Sequence, residues 1–259
     1  TSSDADYEGL TSEVTLSNTD NDNSGITVTP ITNNTAEDGT SGTFTVFLNS
    51  EPTADVTIPV SSSDTTEGTV DQSQLTFNSG NWNAAQTVTV TGVDDLVNDG
   101  NVSYAIALAP AVSGDSNYNG LDANDISLTN EDNDTTGIIV SPISNNTSED
   151  GTTATFTVVL ASQPTSDVTI PLSSSLTTEG TIDQDSLTFT AENWDTPQTV
   201  TVTPADDLID DGDINYTIVT AAATSSDTNY SELDAADVRV TNTDDDNSGL
   251  TVTPITNNT

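Results

Sequence analysis

The 259-residue chain carries 42 acidic residues against one cationic side chain, Arg239, for a formal charge of −41, and it has no lysine, histidine or cysteine. This composition excludes a disulfide framework, thiolate metal sites, zinc–histidine centres, Ser-His-Asp catalysis and Schiff-base lysines. It also leaves no basic face for nucleic acid or an anionic membrane.

The apolar residues come in short alternating runs such as FTVFL (44–48), VTIPV (56–60) and TVTVT (87–91). Alternation of Val, Ile and Phe with Thr is the period-two pattern of half-buried strands. Taken in chain order, it predicts strands near 26–31, 43–48, 55–61, 74–77, 86–92, 102–108 and 125–130. Pro59 suggests an edge or a bulge, and Trp82 reads as an apolar plug over one end of the core. No apolar run approaches the ~20 residues of a membrane helix, so no direct membrane insertion is expected.

The same elements recur 112 residues later. Residues 25–136 align without a gap to 137–248, with 67 identities, and place Pro171 and Trp194 opposite Pro59 and Trp82. Residues 249–259 repeat the opening GLTVTPITNNT, and residues 1–24 echo the end of a unit. The expected organisation is the tail of a preceding repeat (1–24), two full repeats (25–136 and 137–248) and the start of a following one (249–259), a window on a longer array. Seven short strands in about 110 residues fit an immunoglobulin-like sandwich. The fold class is therefore all-β, with tandem seven-stranded Ig-like β-sandwich repeats of 112 residues.

Ten of the acids are Glu and the remaining 32 are Asp, the short oxygen donor that calcium loops use. If successive strands alternate in direction, the connections sort into two poles. The odd connections of the first unit collect eleven acids and the even ones three. A salt-adapted surface has no reason to sort its charge by loop parity, whereas a metal site does. At the seams, Asp20–Gly25, Asp132–Gly137 and Asp244–Gly249 each read D-x-D-x-[ST]-G, the front half of an EF-hand loop. Position 12 is Ile31, Ile143 and Ile255 rather than the bidentate Glu, so these are not EF-hands. The missing ligands must come from neighbouring loops. The candidates are Asp20, Asp22, Glu37, Glu67, Asp94, Asp95, Asp99, Asp132 and Asp134, then Glu149, Glu179, Asp206, Asp207, Asp211, Asp244 and Asp246. Oxygen donors without histidine favour calcium over zinc or copper, and an irregular carboxylate cluster suits it better than magnesium.

The acid–glycine turn Glu37-Asp38-Gly39, the paired aspartates Asp94-Asp95 and Asp206-Asp207 with a further acid, and the terminal acidic runs resemble the Calx-β-type sandwich, in particular tandem repeats of large secreted bacterial adhesins. The stretch SSDTTEGTV stands where that family has DGTA-x2-G-x-DY. The resemblance implies several Ca2+ ions per repeat, held at the end where the next domain attaches.

These readings lead to a non-enzymatic, calcium-rigidified structural repeat of an extracellular, cell-surface stalk, adhesin or fibre. Its partners would be the neighbouring repeats of the same chain and other copies in a fibre or sheet. Two alternatives stand beside it: a module recognising carbohydrate or protein, and an acidic halophile-type or S-layer surface domain that holds no specific metal. A carboxylate-pair glycosidase is disfavoured, because the acids duplicate with the scaffold and no insertion builds a cleft.

Overall fold

The computed structural model describes residues 2–254, and every regular element among them is a β-strand. The expected start of a following repeat therefore lies outside the described residues from Ile255 onward. None of the described segments is a helix long and apolar enough to cross a membrane.

The strands are β1 (Ile26–Val28), β2 (Thr35–Ala36), β3 (Ser41–Leu48), β4 (Val56–Ser62), β5 (Gly68–Val70), β6 (Gln74–Phe77), β7 (Gln86–Gly92), β8 (Val102–Leu108), β9 (Val112–Ser113) and β10 (Ile126–Glu131). One sheet has the order β1-β3-β7-β5, and the other β2-β10-β8-β4-β6 with β9 pairing β4. The first is the ABED order of an immunoglobulin sandwich, and β10-β8-β4 is its GFC order. A strand lies within or across each of the seven expected ranges, the first of them only over Ile26–Val28. The three additional ones, β2, β5 and β9, have two or three residues each, too few to show a period in sequence.

The alternation gives the sandwich its core. In β3 the inward positions Phe44, Val46 and Leu48 are buried, as are Val56, Ile58 and Val60 in β4 and Val88 and Val90 in β7. The intervening threonines occupy the half-exposed face, where β-branched residues fit the pleat. Trp82 packs against this core from its end, and its carbonyl accepts the Leu48 N–H at 2.8 Å.

Pro59 is not at a sheet edge. Strand β4 pairs with β6 through Val56–Pro59 and with β8 only from Val60 onward. The proline sits where the ladder on the β8 side begins, so its missing N–H breaks no pairing. Its carbonyl still accepts the Ala109 N–H at 3.0 Å.

The same order follows in β11 (Ile138–Val140), β12 (Thr147–Ser148), β13 (Ala154–Leu160), β14 (Val168–Ser174), β15 (Gly180–Ile182), β16 (Ser186–Phe189), β17 (Gln198–Pro204), β18 (Ile214–Thr220) and β19 (Val238–Thr243). Their sheets run β11-β13-β17-β15 and β12-β19-β18-β14-β16 around a second core. The chain also divides into two compact units: Thr1–Asn34 with Ser41–Thr91 and Tyr104–Leu128, and Thr35–Thr40 with Gly92–Ser103 and Thr129–Thr259. The segments that form the first acidic pole fall in the second of these.

Residues 14–19 carry the apolar alternation of β10 yet form no strand, and Val14 and Leu16 are 78% and 92% exposed. Strand β10 is held between β2 and β8.

Candidate metal centre

The acidic pole is assembled by backbone pairing. Strand β2 lies parallel to β10, with Ala36 opposite Glu131. The next residue of each strand therefore leaves the sheet at the same corner. The Glu37 N–H donates to the Glu131 carbonyl at 3.1 Å, and the Asn133 N–H donates to Glu37 Oε2 at 3.1 Å. The D-x-D run then closes on itself, as the Asp134 N–H donates to Asp132 Oδ1 at 2.7 Å. The same Asx turn forms at Asp246–Asp244 (2.8 Å) and at Asp22–Asp20 (3.0 Å).

The connection between β7 and β8 brings in the remaining acids. The Gly100 N–H donates to Asp132 Oδ2 at 2.7 Å, and the Val97 N–H donates to Asp95 Oδ1 at 2.7 Å. Gly100 has φ 78°, a conformation that favours glycine. Gly212 takes the same role, with φ 77° and a 2.7 Å bond to Asp244 Oδ2.

Carboxylate oxygens of Glu37, Asp132 and Asp134 all lie within 4.8 Å of one another. Two further groups satisfy the same limit: Glu149 with Asp244 and Asp246, and Glu149 with Asp206 and Asp245. Glu37 is only 5% exposed and Glu149 only 7%. Burial pushes the Glu37 carboxyl up to about 7, with repulsion from Asp132, Asp95 and Asp134 adding to it and the Asn133 N–H opposing. Asp134 is raised by burial and by Asp132, Asp94, Asp95 and Asp99, and Asp99 by burial with Asp95 and Asp132. Glu149 and Asp246 are raised in the same way, first by burial and then by the aspartates around them.

The buried oxygens Asp134 Oδ2, Glu149 Oε2 and Asp246 Oδ2 have no hydrogen-bond partner. A buried carboxylate oxygen without a donor costs several kcal/mol unless a cation sits against it (on the order of 2–7 for an unpaired polar group, more for a charge). Two carboxylates ~4 Å apart also repel by about 4 kcal/mol at an effective dielectric near 20. The chain's single cationic side chain, Arg239, is exposed on β19. The donor set is oxygen only, clustered and irregular, which fits a hard divalent cation that takes six to eight oxygens at about 2.3–2.6 Å.

The structure thus gathers twelve of the sixteen expected residues into two clusters: Glu37, Asp94, Asp95, Asp99, Asp132 and Asp134, and Glu149, Asp206, Asp207, Asp211, Asp244 and Asp246. It does not bring Glu67 and Glu179 into these three-carboxylate groups. Both are buried just ahead of the glycines that abut the Tyr104 and Tyr216 rings. Glu179 Oε2 accepts the Asn242 amide at 3.5 Å. Asp20 and Asp22 form the turn but are exposed and, among the described residues, join no three-carboxylate group.

Three acids near the second cluster were absent from the expected ligands. Asp245 is a member of one group, the Asp213 side chain accepts the Asp244 N–H at 3.3 Å, and Asp210 accepts the Ser248 N–H at 2.6 Å. The signal that could have found them is the alignment of the two repeats, which sets all three against asparagines.

Elsewhere, acids serve the backbone. Asp115 accepts the Thr53 and Asn117 N–H groups at 2.8 and 2.9 Å, Asp71 the Thr89 N–H at 2.9 Å and Asp38 the Thr40 N–H at 2.9 Å. Asp115 and Asp38 are held below the usual carboxylate range by such bonds.

No known family profile matches the chain, and no curated protein matches it in sequence. Among solved structures it is similar to CBD12 from CALX1.2, at 12% identity and TM-score 0.33 over 77% of this chain and 93% of that one. It is also similar to domains 5–6 of the S-layer protein SbsC, at 18% identity and TM-score 0.24 over 85% and 97%. A third likeness is to the YadV chaperone, at 10% identity and TM-score 0.31 over 83% and 99%.

Proposed function

We propose that the chain is a calcium-rigidified structural repeat of an extracellular, cell-surface stalk, adhesin or fibre. Its 112-residue sandwich units are the domains, and each carries Ca2+ clustered at an acidic seam with its neighbour. The observation that carries this reading is the pair Glu37 and Glu149: nearly buried carboxylates set among aspartates, in a chain without lysine. Protons or metal ions have to supply the missing positive charge, and calcium is the common extracellular ion that matches these donors. Cations at the seam would stiffen the loops that end one unit and open the next.

The test compares melting temperature and small-angle scattering in ~1–5 mM calcium, in EDTA and in molar NaCl, the calcium range being set to saturate weak extracellular sites. Calcium alone should raise the melting temperature and lengthen the particle. If molar NaCl does both as well as calcium, the chain is instead a salt-adapted surface domain without a specific metal.

A further inference from the structure

The two acidic seams are not equivalent. Spacing by 112 residues sets Asn133 against Asp245 and Asn98 against Asp210. In the first seam both asparagines act as donors to the cluster. Asn133 Nδ2 donates to Asp94 Oδ1 at 3.4 Å, and the Asn98 amide, in the orientation that satisfies both its ends, donates to Asp132 Oδ2 at 3.0 Å. An ionised carboxylate has no proton to give. In the second seam these two stabilising donors are therefore replaced by two more negative charges. One exchange runs the other way, Glu131 against Thr243, but Glu131 is exposed at the end of β10.

Glu149, like its counterpart Glu37, receives the backbone N–H of the equivalent residue, here Asp245, yet its Oε2 is buried with no hydrogen-bond partner. Glu149, Asp206 and Asp245 bring oxygens within 4.8 Å of one another, a grouping whose first-seam equivalent contains the amide of Asn133. We propose that a divalent cation bridges Glu149, Asp206 and Asp245, so that the second seam holds one ion more than the first. Asn133 does for Asp94 internally what that ion does for Asp206. This proposal rests on the calcium reading above and deepens it, since it makes successive seams differ in ion count and so in the calcium concentration at which each stiffens.

The experiment counts calcium bound per full-length chain, by equilibrium dialysis and native mass spectrometry with calcium alone, for wild type, Asp245→Asn and Asn133→Asp. Both positions are exposed, so neither change threatens the core. Asp245→Asn should bind one ion fewer than wild type and Asn133→Asp one more. An unchanged count in either variant overturns the proposal while leaving the calcium reading intact. A wild-type chain that binds no calcium at millimolar concentration overturns both.

Discussion

Glu37 Oε2 accepts the backbone N–H of Asn133 across 96 residues of sequence, joining the first turn of the sandwich to the segment that leaves it. The bond needs an oxygen at that place but not a charge. Glu37→Gln should therefore keep the bond and remove a buried charge from among Asp132, Asp95 and Asp134. In EDTA the variant should be more stable than wild type, by about 1–2 kcal/mol given the size of such burial and like-charge effects. In saturating calcium its added stability should be smaller than that of wild type, because a ligand is gone. A lower melting temperature in EDTA would show that the carboxylate is favourably solvated and needs no cation.

The raised carboxyls set the pH dependence. A group whose folded value lies above its unfolded one binds more protons when folded, so stability falls as pH rises between the two. For Glu37 that window runs from the ordinary 4.5 to about 7. Full ionisation costs the calcium-free fold up to about 3 kcal/mol before solvent screening, on the scale of 1.36 kcal/mol per pH unit. Asp38, Asp64, Asp115 and Asp150 are lowered instead, so their contribution is present above the ordinary aspartate value and lost only as pH falls below it. Urea unfolding in EDTA should thus give a more stable protein at pH 5 than at pH 8. With saturating calcium the order should reverse, because protons and calcium compete for the same oxygens.

In the first sandwich the Tyr118 hydroxyl donates to the Ser50 carbonyl at 2.7 Å, accepts the Ser50 N–H at 3.1 Å and lies 2.9 Å from Ser50 Oγ. Tyr230 does the same with Ser162. Tyr118→Phe should cost about 1–3 kcal/mol, the range for stranding buried partners. The loss should be equal with and without calcium, which separates this corner from the acidic pole. A calcium-dependent loss would show the two sites to be coupled.

Gly68 and Gly180 lie against the phenol rings of Tyr104 and Tyr216, so an added Cβ overlaps the ring in both cases. Both tyrosines are buried in their cores and cannot swing aside. Gly68→Ala should destabilise by about 1–3 kcal/mol, the usual cost of overpacking. Thermal unfolding of the single variant checks this, and a neutral result would mean that β5 can shift outward.

The sequence made the strands legible because apolar residues alternate with Thr, Ser or Ala along the long ones. It made the D-x-D turns legible because a short side chain two residues ahead of an N–H can do little else at a strand end. Depth was not legible. Glu67 and Glu37 occupy loops of the same parity, yet only Glu37 lies in the cluster, because the parallel β2–β10 pairing carries it to the corner and that pairing spans two residues. Asp245 occupies the unspecified second position of the D-x-D-x-[ST]-G run. Its importance depends on Asp206 approaching it from another loop, which no local pattern encodes.

The sheet edges in both sandwiches are short: β1 and β5 have three residues, β2 has two and β6 four, and their counterparts match them. The six- to eight-residue strands are all interior. Edges this brief offer an incoming chain few free N–H and C=O groups to extend. Near-identical modules held at high local concentration are the usual setting for mispaired, swapped or amyloid-like aggregates. Here each long strand has a neighbouring strand on either side over at least part of its length.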